Sequence, residues 1–112
     1  MPMDVSVAFQ TNQWRPREKE FTEALQALEL FSPRDENCRV TLREPAEKDG
    51  PVLTIVRQRR IRIGGGWLPV AAGGEDNSFV YERGIAFPEL SIPEIVELVR
   101  EMLEAPVLED CK

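Results

Sequence analysis

The stretch Val52-Leu53-Thr54-Ile55-Val56-Arg57-Gln58-Arg59-Arg60-Ile61-Arg62-Ile63 decides how this chain folds. Val52 to Val56 is apolar on both faces, the pattern of a strand in the middle of a sheet. No turn former separates it from Arg57 to Ile63, so the strand is expected to run on. A strand of that length exceeds the usual ~3–10 residues, which predicts a bulge or bend near Gln58 to Arg60. Without a bulge, Arg57 and Arg59 would share one face with Ile61 and Ile63, and Arg60 and Arg62 would take the other.

Upstream, Cys38, Val40 and Leu42 alternate with Arg39, Thr41 and Arg43, a strand with one wet face. Glu44 to Pro51 is dense in turn formers, and its Asp49-Gly50 pair is a hairpin signal. Downstream, Gly64-Gly65-Gly66 reads as a turn. Trp67 to Ala72 forms a short strand that Pro69, lacking an N–H, moves towards a sheet edge. Gly73 to Asn77 is a loop, and Ser78 to Phe87 gives one or two strands interrupted at Gly84.

The two ends read as a strand and helix, then a helix. Val5, Val7 and Phe9 alternate with Ser6 and Ala8. From Arg17 to Phe31, Phe21, Ala24, Leu25, Leu28 and Phe31 recur at helical spacing, and Ser32-Pro33 stops that helix. Leu30 lies off the stripe, facing a loop or a partner. Near the C-terminus, Ser91 and Glu94 match a capping box, with Pro93 in the first turn, where its missing N–H costs little. Ile95, Leu98, Val99 and Met102, flanked by Val96 and Leu103, form a broad apolar arc that Pro106 ends. The order is β-α-β-β-β-β-α. The expected fold is α+β, an antiparallel sheet of four to five strands with both helices packed on one face. One domain over 1–106 is expected, with 107–112 as a tail.

The chain has 112 residues, 42% apolar and 30% charged, an ordinary globular mixture. It contains no histidine. That excludes Ser-His-Asp and Cys-His catalysis, imidazole metal ligation and a histidine pH switch. Cys38 reads as a small core residue, and Cys111 sits beside Asp110, which would raise its thiol pKa. Two widely spaced cysteines without a CxxC pair suit reduced thiols. Asp4 stands where a secretory signal would carry positive charge, and no apolar run approaches the ~20 residues of a membrane span. A cytoplasmic protein without membrane contact is expected.

The formal charge of −6 argues against global attraction to nucleic acid, but it is unevenly distributed. Residues 57–63 carry four arginines and no acid, between segments of net −3 and −7. Arg57, Arg59, Arg60 and Arg62, with Trp67, Phe79 and Tyr81 on neighbouring strands, could stack bases and neutralise a single-stranded backbone. The plainer reading pairs these arginines with internal glutamates.

Glu94, Glu97, Glu101 and Glu104 fall on one stripe of the last helix, opposite the core. Like charges at i,i+4 cost a few tenths of a kcal/mol, so the stripe does not serve the helix itself. It either aids solubility or docks on a basic surface. It also complements the arginine segment of a second copy, which makes a homo-oligomer an option. Trp14, beside Arg15 in a polar loop, is either an interface anchor or a lid over the core.

Nothing here assembles a reaction centre. Gly64-Gly65-Gly66 lacks the following Lys-Ser/Thr of a phosphate loop, and Glu75-Asp76-Asn77 offers too few oxygens for a hard cation. Cys38, Ser78 and Ser91 have no recognisable base nearby. No metal and no cofactor are expected, and catalysis is the weakest class. The expectation is a small acidic non-catalytic binding protein: an inhibitor, an immunity or anti-defence factor, or a regulatory subunit. It would occlude a basic protein surface through Glu94, Glu97, Glu101, Glu104, Trp14 and Trp67. The alternative is a single-stranded nucleic-acid-binding module using Arg57, Arg59, Arg60, Arg62, Trp67 and Tyr81.

Overall fold

The computed structural model describes residues 4–10, 14–28, 37–44, 51–73, 78–85 and 91–108. Five strands form one sheet: β1 (Asp4–Ala8), β2 (Arg39–Arg43), β3 (Val52–Arg57), β4 (Leu68–Gly73) and β5 (Ser78–Gly84). A 3₁₀ turn over Arg15–Arg17 leads into α1 (Glu18–Gln26), and α2 spans Ile92–Glu104. The sheet order is β1-β2-β3-β5-β4. The α+β class and the element order follow the sequence reading, with β3 in the centre and the Pro69 strand at an edge.

One pairing departs from it. β1 and β2 run parallel, with Val5 opposite Val40 and Val7 opposite Leu42. The connection through α1 carries the chain back to the end where β1 began, which a helical crossover requires and a hairpin cannot do. The other three pairs are antiparallel. The sheet is therefore mixed.

Register explains which side is dry. Val40 pairs with Ile55 and Ile55 with Tyr81, while Leu42 pairs with Leu53, so these side chains share one face. All five are buried, in one cluster with Phe21 and Leu25 of α1 and Ile95, Val99, Met102 and Leu103 of α2. On the opposite face Asp4, Ser6, Arg39 and Arg43 are exposed. Each buried Leu or Ile stabilises the fold by about 1.5–3 kcal/mol, against about 1 kcal/mol for a helix cap. The Leu42–Leu53 face thus outweighs the N-cap of α2, where the Ser91 hydroxyl accepts from the Glu94 N–H at 3.4 Å.

The segment between β3 and β4 is not a strand. Because β5 lies between those strands, the link must cross β5. β3 ends at Arg57, and the chain bends at Gln58 and Arg59, where the bulge or bend was expected. The link crosses on the core side: Ile61 is buried, and its N–H donates to the Tyr81 hydroxyl at 3.0 Å. The face assignment expected of an unbroken strand therefore fails. Arg57 and Ile61 are buried, whereas Arg59 and Ile63 are exposed.

The crossing segment is tied to the chain after α2. The Arg62 N–H donates to the Pro106 carbonyl at 3.3 Å and the Leu108 N–H to the Arg60 carbonyl at 2.9 Å, around an Ile61–Val107 bridge. Val107 and Leu108, expected to begin a tail, are thereby part of the folded unit. Leu30, Phe31, Ser32, Pro33, Asp49-Gly50, Glu75-Asp76-Asn77 and Cys111 lie outside the described residues. Among the described residues, no helix is long and apolar enough to cross a membrane.

Candidate partner-binding face and adjoining cleft

Ile95, Val99, Met102 and Leu103 turn one side of α2 into the core, and the 3.6-residue period then fixes what faces out. Glu94, Glu97, Glu101 and Glu104 are all exposed, as the spacing predicted. Arg100 relieves the repulsion at one point, with its Nη2 on Glu97 Oε1 at 2.5 Å and its Nε on Oε2 at 3.1 Å. That hydrogen bond, then the attraction of the carboxylate, raises the Arg100 pKa above its ordinary value. Among the described residues, Glu94, Glu101 and Glu104 form no ion pair.

The arginine segment is broken up by the crossover. Arg57 is 1% exposed, and its Nη1 donates to the Met102 carbonyl at 2.7 Å, fastening β3 to the last turn of α2. It is a structural residue in the core and no surface contact for a nucleic acid. Tyr81, 2% exposed, is committed to the Ile61 N–H, so its ring is not offered for base stacking. Arg59, Arg60 and Arg62 are exposed, and the Arg60 guanidinium lies 6.0 Å from the Phe79 ring centre.

Both tryptophans offered by the sequence as partner contacts are buried, which leaves little of either ring for such a contact. Trp14 packs with Phe9 at 6.0 Å and Phe21 at 6.3 Å between ring centres, and the Arg17 guanidinium covers it at 5.2 Å. Of its two readings, the lid over the core describes its placement. The backbone of Phe9 and Gln10 is held by two buried or half-buried carboxylates. Glu18 Oε2 accepts from the Phe9 N–H at 3.1 Å, and Glu44 Oε1 from the Gln10 N–H at 3.0 Å.

Trp67 is also buried, but it lines a cleft of about 430 Å³. The crossing segment supplies Arg62, Ile63, Gly64 and Gly65, and β5 supplies Arg83. The end of α2 supplies Glu101, Met102 and Glu104, followed by Ala105 and Pro106. The fold thus brings together residues that the sequence assigned to two separate sites: Arg62 from the basic segment, Glu101 and Glu104 from the acidic stripe, and Trp67. Glu94 and Glu97 lie outside this cleft, as do Arg57, Arg59 and Arg60.

Arg83 was not singled out by the sequence. Its role comes from register: the Gly64–Gly66 turn brings the crossing chain back against it. Gly65 and Gly66 have φ of +61° and +86°, values that suit glycine. A Cβ on Gly66 would stand 3.1 Å from Arg83 Nη1, so the bare turn leaves room for the guanidinium. Among the described residues, neither Arg62 nor Arg83 forms an ion pair, although both share the cleft with Glu101 and Glu104. The carbonyl end of α2 adds partial negative charge to the acidic side.

Among the described residues, no group of three or more Cys, Asp or Glu side chains is placed to hold a metal ion. Comparison with known protein families, with characterised proteins and with solved structures gave no match.

Proposed function

We propose that this chain is a small, acidic, non-catalytic binding protein of the cytoplasm that acts by occluding a basic surface on a protein partner. An inhibitor, an immunity or anti-defence factor and a regulatory subunit all work in this way. The observation that carries the reading is the outer face of α2. Four glutamates stand exposed on one rigid element, and only Glu97 is neutralised from within the helix. Such a face attracts lysine- and arginine-rich surfaces from a distance and speeds encounter with them.

The single-stranded nucleic-acid reading has less support. Of the residues it uses, Arg57, Trp67 and Tyr81 are buried, leaving Arg59, Arg60 and Arg62 exposed.

Charge reversal separates the readings. Glu97→Lys with Glu101→Lys should abolish capture of a basic protein partner from lysate while leaving stability within about 0.5 kcal/mol per site, because both positions are solvent-facing. Capture by the parent chain should weaken as salt rises through the range where the Debye length falls below about 10 Å. Undiminished capture by the doubly reversed variant overturns the proposal. So does tight, salt-sensitive binding of short single-stranded oligonucleotides that is lost in Arg60→Ala with Arg62→Ala.

A further inference from the structure

The cleft beside Trp67 has a composition that the docking of α2 on a basic surface does not explain. A purely acidic contact has no use for Arg62 and Arg83, and those two arginines find no carboxylate partner among the described residues. Opposite charges line one space without closing on each other, and Trp67, Ile63, Met102, Ala105 and Pro106 complete its lining with apolar surface. The volume of about 430 Å³ lies in the range of roughly 300–1,000 Å³ typical of small-ligand sites.

We infer that this cleft binds an amphoteric ligand: a carboxylate and an ammonium group joined by a short methylene chain. The carboxylate meets Arg62 and Arg83, whose planar forks match its two oxygens. The ammonium meets Glu101 and Glu104 at the negative end of α2. The methylene chain lies against Trp67 and Met102, where burying each CH₂ adds about 0.8 kcal/mol. Two features hold the walls in place before any ligand arrives. The hydrogen bonds from Arg62 to Pro106 and from Leu108 to Arg60 fix the crossing segment to the end of α2. The glycine turn leaves the Arg83 guanidinium its space. Preformed walls reduce the ordering cost of binding.

This chemistry is shared by free ω-amino acids and by the C-terminal lysine of a polypeptide, and the test distinguishes them. The probe is 6-aminohexanoate, titrated into the full chain and followed by calorimetry and by the Trp67 indole and Gly64–Gly65 amide resonances. Hexanoate and hexylamine, which each carry one of the two charges, should bind at least about tenfold more weakly. Arg83→Gln and Glu104→Gln should each weaken 6-aminohexanoate by at least about tenfold, and Glu20→Gln on α1 should leave it unchanged. Circular dichroism of each variant separates loss of binding from loss of fold. A peptide ending in lysine that binds more tightly than free lysine identifies a polypeptide end as the source; the reverse order identifies a free amino acid. If 6-aminohexanoate binds no better than hexanoate or hexylamine, or if binding survives both cleft substitutions, the inference fails. Because the probe is a small molecule, that failure leaves the capture of a basic partner untouched.

Discussion

The two tryptophans have almost the same exposure, 3% for Trp14 and 6% for Trp67, yet they occupy corners built on opposite plans. At the β1–α1 corner, Trp14 meets Phe9 and Phe21, Arg17 lies over it, and Glu18 and Glu44 bind the neighbouring backbone. The two carboxylates there are spent on backbone N–H groups. At the crossover corner, Trp67 meets a cleft whose two arginines and two glutamates stay unpaired among the described residues. A sealed aromatic corner contributes stability; an open corner with unspent charge is available for contact. Burial alone does not separate the two roles, and what the polar neighbours are bonded to does.

The largest expected effect tests the sealed corner. Trp14→Ala removes a ring packed on two others in a space closed to solvent, and should cost about 3–5 kcal/mol in urea unfolding. That is a large part of a total stability of about 5–15 kcal/mol. Trp67→Ala should cost less, about 3 kcal/mol or below, because one side of that ring already borders the cleft and leaves a smaller new void. If Trp67→Ala proves the more damaging of the two, the division into sealed and open corners is wrong.

Next in size is the link between the core and the open corner. Arg57→Ala deletes the buried donor to the Met102 carbonyl, a charge-assisted hydrogen bond worth about 1.5–3 kcal/mol. Since Met102 also lines the cleft, the loss should register there as well as in the unfolding midpoint. Shifted amide resonances at Met102 and Glu104 are the expected sign. A destabilised variant with an unchanged cleft spectrum would show that Arg57 serves the core alone.

Most of the fold was legible because it rests on local period. The alternation at Val40 and Leu42, the two-sided apolar run at Val52–Val56 and the Ser91 cap of α2 each specify their element within a few residues. The parallel β1–β2 pair was not, since Val5–Phe9 reads the same whichever way its partner runs. The arginine segment failed for a related reason. Ile61 between Arg60 and Arg62 gives strand-like alternation, and a crossing chain with one buried residue produces the same pattern. Only the strand order, with β5 inserted beside β3, forces the crossover. The acidic stripe was readable because it lies on one helix, whereas the cleft was not, because Arg62, Arg83 and Glu104 come from three elements that meet through topology.

The smallest effect discriminates most finely within the open corner, between the backbone of the glycine turn and the side chain it shelters. Gly65→Ala and Gly66→Ala both place an L side chain at positive φ, which costs about 1–2 kcal/mol in the left-handed region. On stability alone the two should be alike. They differ in what the new methyl group meets. At Gly65 it would lie 3.5 Å from Arg83 Nη1, an ordinary contact, whereas at Gly66 it would lie 3.1 Å from Nη1 and 3.3 Å from Cζ. The far end of an arginine can swing away, so Gly66→Ala should displace the guanidinium at little further cost in stability. Comparing the Arg83 Nε–H resonance in the two variants isolates that displacement. A shift confined to Gly66→Ala ties the bare turn to the placement of Arg83, and equal shifts in both would mean that the turn acts on the cleft only through its backbone.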